Sequence, residues 1–137
     1  MKAGHEEGVA ALEMALLLPL LLLFIMGILE WGFAFYTDLV LTNAVREGAR
    51  FGATVEDEYE ATNQARQKVE DYIRSSMYQP DAFVGALDFT ELSLDTTTRE
   101  LVVKATIRDY PALSPIRFFS PPLIPTNISA RATMRWE

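Results

Sequence analysis

The chain has 137 residues, a net charge of −7 and no cysteine. The acidic balance argues against non-specific nucleic-acid binding. The missing cysteine excludes a disulfide framework and any thiolate metal site. Beyond an apolar N-terminal region there is room for one small domain, which buries a modest share of its surface.

Residues Val9 to Leu29 are almost unbroken apolar sequence, with one acid, Glu13, near the start. About 20 such residues cross the roughly 30 Å hydrocarbon core of a bilayer. A carboxylate within such a run costs about 2.5 kcal/mol or more, so it is read as functional. The segment before it, Met-Lys-Ala-Gly-His-Glu-Glu-Gly, is not basic, and the segment after it, Glu30-Trp31-Gly32-Phe33-Ala34-Phe35-Tyr36, is aromatic. The first does not suit a secretory signal peptide, and the second reads as an interfacial belt. The run is therefore expected to be a retained transmembrane helix contacting membrane lipid. Charge alone leaves its orientation open: Lys2 favours a cytoplasmic N-terminus, while Glu6 and Glu7 blur the count.

Pro19 removes one backbone donor and its ring crowds the carbonyl of Ala15, so a local kink or loosening is expected there. Gly27 and Gly32 offer flat places for helix packing. The helical pattern continues through Ala53, with Ala44, Gly48, Ala49, Gly52 and Ala53 small and clustered. That stretch can approach another helix closely, or pack on the chain's own C-terminal domain.

Glu56 to Ser75 reads as a second helix, with Asp57, Glu58 and Glu60 at its start and Lys68 and Arg74 near its end, as the helix dipole favours. Tyr59, Ala65, Val69, Tyr72 and Ile73 recur at helical spacing as its apolar face. Three strands follow. In Phe89–Asp95 the parity changes between Leu87, Phe89 and Leu92, Leu94, which calls for a bulge or a late start. Thr96–Arg99 reads as a turn. Glu100–Tyr110 alternates Leu101, Val103, Ala105 and Ile107 with Lys104, Thr106 and Arg108, so one face is wet. Asn127–Trp136 alternates Ile128, Ala130, Ala132 and Met134 with Ser129, Arg131, Thr133 and Arg135. Between the last two strands, Pro111–Pro125 holds five of the seven prolines and cannot be a central strand. It reads as a long loop whose apolar residues fold back on the core or touch a membrane or partner. The fold class is α+β: a long N-terminal transmembrane helix continues into a soluble domain with a second helix and a small antiparallel sheet of about three strands.

Charge is uneven, with 11 acids and 4 bases over Thr54–Glu100 but 5 bases and 2 acids over Leu101–Glu137. Either these are two complementary solvated faces of one domain, or opposite patches meet between neighbouring copies.

His5 is the one histidine, and it precedes the anchor, so no catalytic or metal-ligand constellation can be built outside the membrane around a histidine or cysteine. No phosphate-binding glycine motif is present. Glu56, Asp57, Glu58 and Glu60 lack calcium-loop spacing and read as a solvated helix start. Asn127-Ile128-Ser129 matches a glycosylation acceptor, a pattern short enough to recur by chance. The chain is not expected to be an enzyme, and no cofactor or metal is expected.

The run Gly8-Val9-Ala10-Ala11-Leu12-Glu13-Met14-Ala15-Leu16-Leu17-Leu18-Pro19 resembles the start of TadE-like proteins, the minor pilins (pseudopilins) of the tight-adherence pilus system. The likeness continues through Gly27-Ile28-Leu29-Glu30-Trp31-Gly32 and Leu41-Thr42-Asn43-Ala44-Val45-Arg46-Glu47-Gly48-Ala49-Arg50. The resemblance implies cleavage after Gly8 by a prepilin peptidase, leaving Val9 as the first mature residue and Glu13 as the fifth. It implies a leader over residues 1–8, a transmembrane helix and its extension over 9–53, and an extracytoplasmic α+β domain over 54–137. The expected location is the bacterial inner membrane, single-pass, with the C-terminal domain periplasmic or carried into the pilus. Expected partners are other pilin or pseudopilin subunits, the prepilin peptidase and the pilus assembly platform, with no nucleic acid. The expected role is assembly, priming or capping of the pilus; the alternative is an uncleaved single-pass scaffold that stays outside the filament.

Overall fold

A computed structural model describes residues 3–95, 97–110 and 125–135, with side chains from Gly8 onward. Residues 111–124, Thr96, Trp136 and Glu137 lie outside the described residues. Six elements follow in order: α1 (Ala3–Gly52), α2 (Glu58–Ser76), α3 (Pro80–Gly85), β1 (Leu87–Asp95), β2 (Glu100–Ile107) and β3 (Ile128–Arg135). The architecture is α+β. The described residues fall into two units, one up to Phe33 and one from Ala34 onward that holds all the other elements.

In the first unit, α1 is helical throughout and the assignment runs through Pro19 without a break. Residues Val9–Leu29 rise about 31 Å along the helix axis, which matches a bilayer core. Leucines dominate because straight-chain apolar residues lose little rotamer freedom in a helix.

In the second unit, α2 begins two residues later than the expected Glu56. Asp57 is its cap: the Asp57 carboxylate accepts the Glu60 backbone N–H at 2.9 Å. That bond satisfies one of the free donors of the first turn. The face α2 buries is Ala61, Ala65, Val69 and Ile73. Tyr59, expected on that face, is 76% exposed, and Tyr72 is half-buried. Beyond Met77 the chain turns at Gln79, whose φ is 59°, and Pro80 opens the short helix α3, absent from the sequence reading. Proline suits a first helical position, where its missing donor is not needed. α3 buries Phe83, whose ring centroid lies 6.4 Å from that of Tyr110.

The sheet is antiparallel in the order β1-β2-β3. Register slips between Phe89 and Glu91, so of the two alternatives the parity change left, a bulge or a late start, the bulge is the one found. The slip keeps Leu87, Phe89, Leu92 and Leu94 opposite Ile107, Ala105, Val103 and Leu101, and so on one face. Ile128, Ala130, Ala132 and Met134 extend that face across β3. On the opposite face Lys104 and Thr106 are half-buried, with Glu91 and Arg131 flanking Lys104 and bridging at 3.3 Å. Val102 is buried between Ser93 and Thr133 on that polar face.

β2 ends at Ile107 rather than at Tyr110. Asp109 takes a φ of 48°, which breaks the strand, and the Tyr110 N–H then bonds Thr126 O at 3.0 Å. Aspartate tolerates that left-handed region better than most residues. The turn between β1 and β2 is closed by Asp95, whose carboxylate accepts the N–H groups of Thr97 at 2.8 Å and Thr98 at 3.1 Å.

Candidate assembly site on the first helix

Gly8, Val9 and Glu13 all lie on α1 and are exposed. Val9 and Glu13 are four residues apart, so they share one helix face about 6 Å apart along the axis. From Leu12 to Leu29 the large apolar side chains stay open, as Leu16 at 71%, Phe24 at 67% and Leu29 at 63% show. A continuous apolar surface of this size marks a lipid or protein contact. Chemically, the segment offers one carboxylate on an otherwise uncharged rod. Such a group recognises a cation.

Pro19 is exposed within this segment. Gly27 and Gly32 face open space: a Cβ at either would meet no described atom within 4 Å.

The small residues nearer the domain behave differently. Ala44 and Ala49 are fully buried. A Cβ at Gly48 would lie 2.7 Å from Ala65 O and 2.6 Å from Val69 Cγ2. A Cβ at Gly52 would lie 2.7 Å from Ala61 O and 2.6 Å from Leu101 Cδ2. Of the two packing alternatives left open above, these glycines take the second, against α2 and β2 of their own domain. Gly48 and Gly52 on α1 match Ala61 and Ala65 on α2, so both helices present small residues at the same spacing where they touch. The Tyr36 hydroxyl fixes the other end of this pairing by donating to Ser76 O at 2.6 Å, one of the orphan carbonyls that end α2.

Cation–ring contacts tie α2 to both α1 and β1. The Lys68 ammonium sits 4.8 Å above the Phe51 ring, and the Arg66 guanidinium 5.1 Å above Phe89. Glu47 and Arg50 pair at 2.8 Å on the exposed side of α1.

Two buried polar residues on α1 escaped the sequence reading. Glu30 is 1% exposed and Thr37 is fully buried. The signal was present: Glu30, Ala34, Thr37, Leu41, Ala44 and Gly48 recur at spacings of three and four. Glu30 was read instead with the aromatic belt that follows it. Among the described residues, no group of three or more histidine, cysteine, aspartate or glutamate side chains is placed to hold a metal ion.

No curated protein and no solved structure matches the chain. One family model does, that of TadE-like proteins, over residues 8–50. It is a structural rather than a catalytic family and suggests involvement in the tight-adherence pilus system. The matched segment runs from Gly8 through Glu13 and Glu30 to Arg50, so the N-terminal helix carries the pattern of the TadE-like family.

Proposed function

We propose that the chain is a minor pilin or pseudopilin that takes part in assembling, priming or capping a tight-adherence pilus. The observation that carries this reading is Glu13. A single carboxylate lies on an exposed apolar helix, five residues beyond Gly8, inside the segment that matches the family. Cleavage after Gly8 leaves a new α-ammonium at Val9. That group on one subunit pairs with Glu13 of the next and sets the stagger between helices. Hydrocarbon strengthens such a pair, because neither charge has water as an alternative partner.

On this reading residues 1–8 are the leader and residues 9–53 the anchor helix with its extension. Residues 54–137 form the domain outside the cytoplasm, at the inner membrane or in the pilus. The prepilin peptidase, other pilin subunits and the assembly platform are the partners. Gly27 and Gly32 supply open, flat contact for a neighbouring helix.

The acidic residues Glu6 and Glu7 favour a second reading, an uncleaved scaffold that remains in the membrane beside the pilus machine. Replacing Glu13 with alanine separates the two. On the first reading, Glu13→Ala chains are still inserted and folded but are lost from isolated pilus complexes. Normal recovery of Glu13→Ala in those complexes contradicts it.

A further inference from the structure

The two edges of the sheet carry hollows of opposite character. On the β3 side, Arg50, Ala53 and Thr54 at the end of α1 meet Met134 and Arg135. On the β1 side, Asp57, Glu58, Tyr59 and Thr62 at the start of α2 meet Leu92 and Ser93. β2 separates the two edges, so they lie two strand spacings apart, about 10 Å. Each hollow holds charge that the domain leaves unspent. Among the described residues neither Arg135 nor Glu58 takes part in an ion pair, whereas Arg50, the other cation of the basic hollow, is paired with Glu47. Each hollow also has an apolar floor, Met134 on one side and Leu92 on the other. Tyr59 stands 76% exposed at the acidic hollow, a large ring with little of its own domain against it. A ring so placed can accept a guanidinium over its face.

We propose that these hollows are the two halves of one interface between copies of this chain. The basic hollow of one copy, led by Arg135, seats the acidic hollow of the next, led by Glu58 and Tyr59. The occupant is a second copy because both complementary halves are on the same domain, on opposite edges of one sheet. Different patches meet, so the contact is head-to-tail and not a two-fold dimer; repeated, it gives a ring or an open row of domains. The contact goes beyond the role proposed above for Glu13. It needs no cleavage of the leader, so it can fail while the pilus reading stands, and the reverse.

Because the chain has no cysteine, introduced pairs report the contact cleanly. Full-length chains in membranes carry Thr54→Cys in the basic hollow, Ser93→Cys in the acidic hollow, or both, and are oxidised. Chains with both cysteines are expected to form a ladder of dimers, trimers and larger species, while each single variant stays monomeric. Adding Arg135→Glu to the double-cysteine chain is expected to cut the ladder about fivefold, in line with an exposed charge pair. Adding Glu58→Lys as well restores it, which shows that the loss was not misfolding. Equal dimer yield from Thr54→Cys alone, no ladder, or a ladder indifferent to Arg135→Glu overturns the proposal.

Discussion

Gly48 and Ala65 are in backbone contact: a Cβ on Gly48 would lie 2.7 Å from the Ala65 carbonyl oxygen. The second atom in the way is Val69 Cγ2 at 2.6 Å, itself on a β-branched side chain with few rotamers. This contact decides how closely α2 can lie along the domain end of α1, and hence where the sheet can pack.

Gly48→Ala tests that contact. Helix propensity alone favours alanine by about 1 kcal/mol. Overpacking costs about 1–3 kcal/mol, and here the obstacle includes a backbone carbonyl, which cannot rotate away. The net expectation is a loss of stability, with a larger loss for Gly48→Val. Thermal melts of the purified full-length chain, followed by circular dichroism, should show both variants melting below the parent. A rise in the Gly48→Ala midpoint would mean that the helices separate without cost.

The cap at Asp57 gives a second expectation. Asp57→Ala removes the acceptor for the Glu60 N–H and should cost about 1 kcal/mol. Asp57→Asn keeps an acceptor and should recover most of that loss. Equal melting midpoints for the two variants would rule out capping as the role of Asp57.

Asp95 makes stability depend on pH. The backbone N–H groups of Thr98 and then Thr97 hold its carboxyl below the usual aspartate range. A carboxylate lowered in the folded state stabilises it fully above the unfolded value, about 3.9, and that contribution disappears as pH falls through the folded value. Asp95→Asn lacks the charge at every pH. The difference in melting midpoint between parent and Asp95→Asn should therefore be constant at neutral pH and shrink in acid. A difference that grows as pH falls would reverse the sign argued here.

Much of the domain was legible in the sequence because its periods are simple. The parity change in β1 called for a bulge or a late start, and the alternation along β3 gave the buried face. α2 was visible from its charged ends, but its buried face was misjudged. Tyr59 reads as part of the apolar series at helical spacing, but the buried series starts at Ala61, whose carbonyl oxygen lies against Gly52 of α1. The short α3 was missed because six residues show no helical period, and only Pro80 marks its start. The end of β2 was overrun because nothing in the local pattern distinguishes Asp109 in a left-handed turn from Asp109 in a strand. At the candidate site, Glu13 stands out as the one acid in the apolar run, while Gly8 gains its meaning only from the resemblance to TadE-like proteins. Glu30 did not, because it sits directly before the aromatic residues Trp31, Phe33, Phe35 and Tyr36 and reads with that belt. The Pro-rich loop expected over Pro111–Pro125 lies outside the described residues except for Pro125.

The central claim is that Glu13 acts as the fifth residue of a processed helix. Intact mass and N-terminal sequencing of the chain, extracted from membranes of cells that hold a prepilin peptidase, test it most directly. The expected result is a chain that begins at Val9, with Gly8→Ala blocking the cut and leaving the leader in place. A chain that keeps Met1 to Gly8 while pilus complexes assemble normally would contradict it.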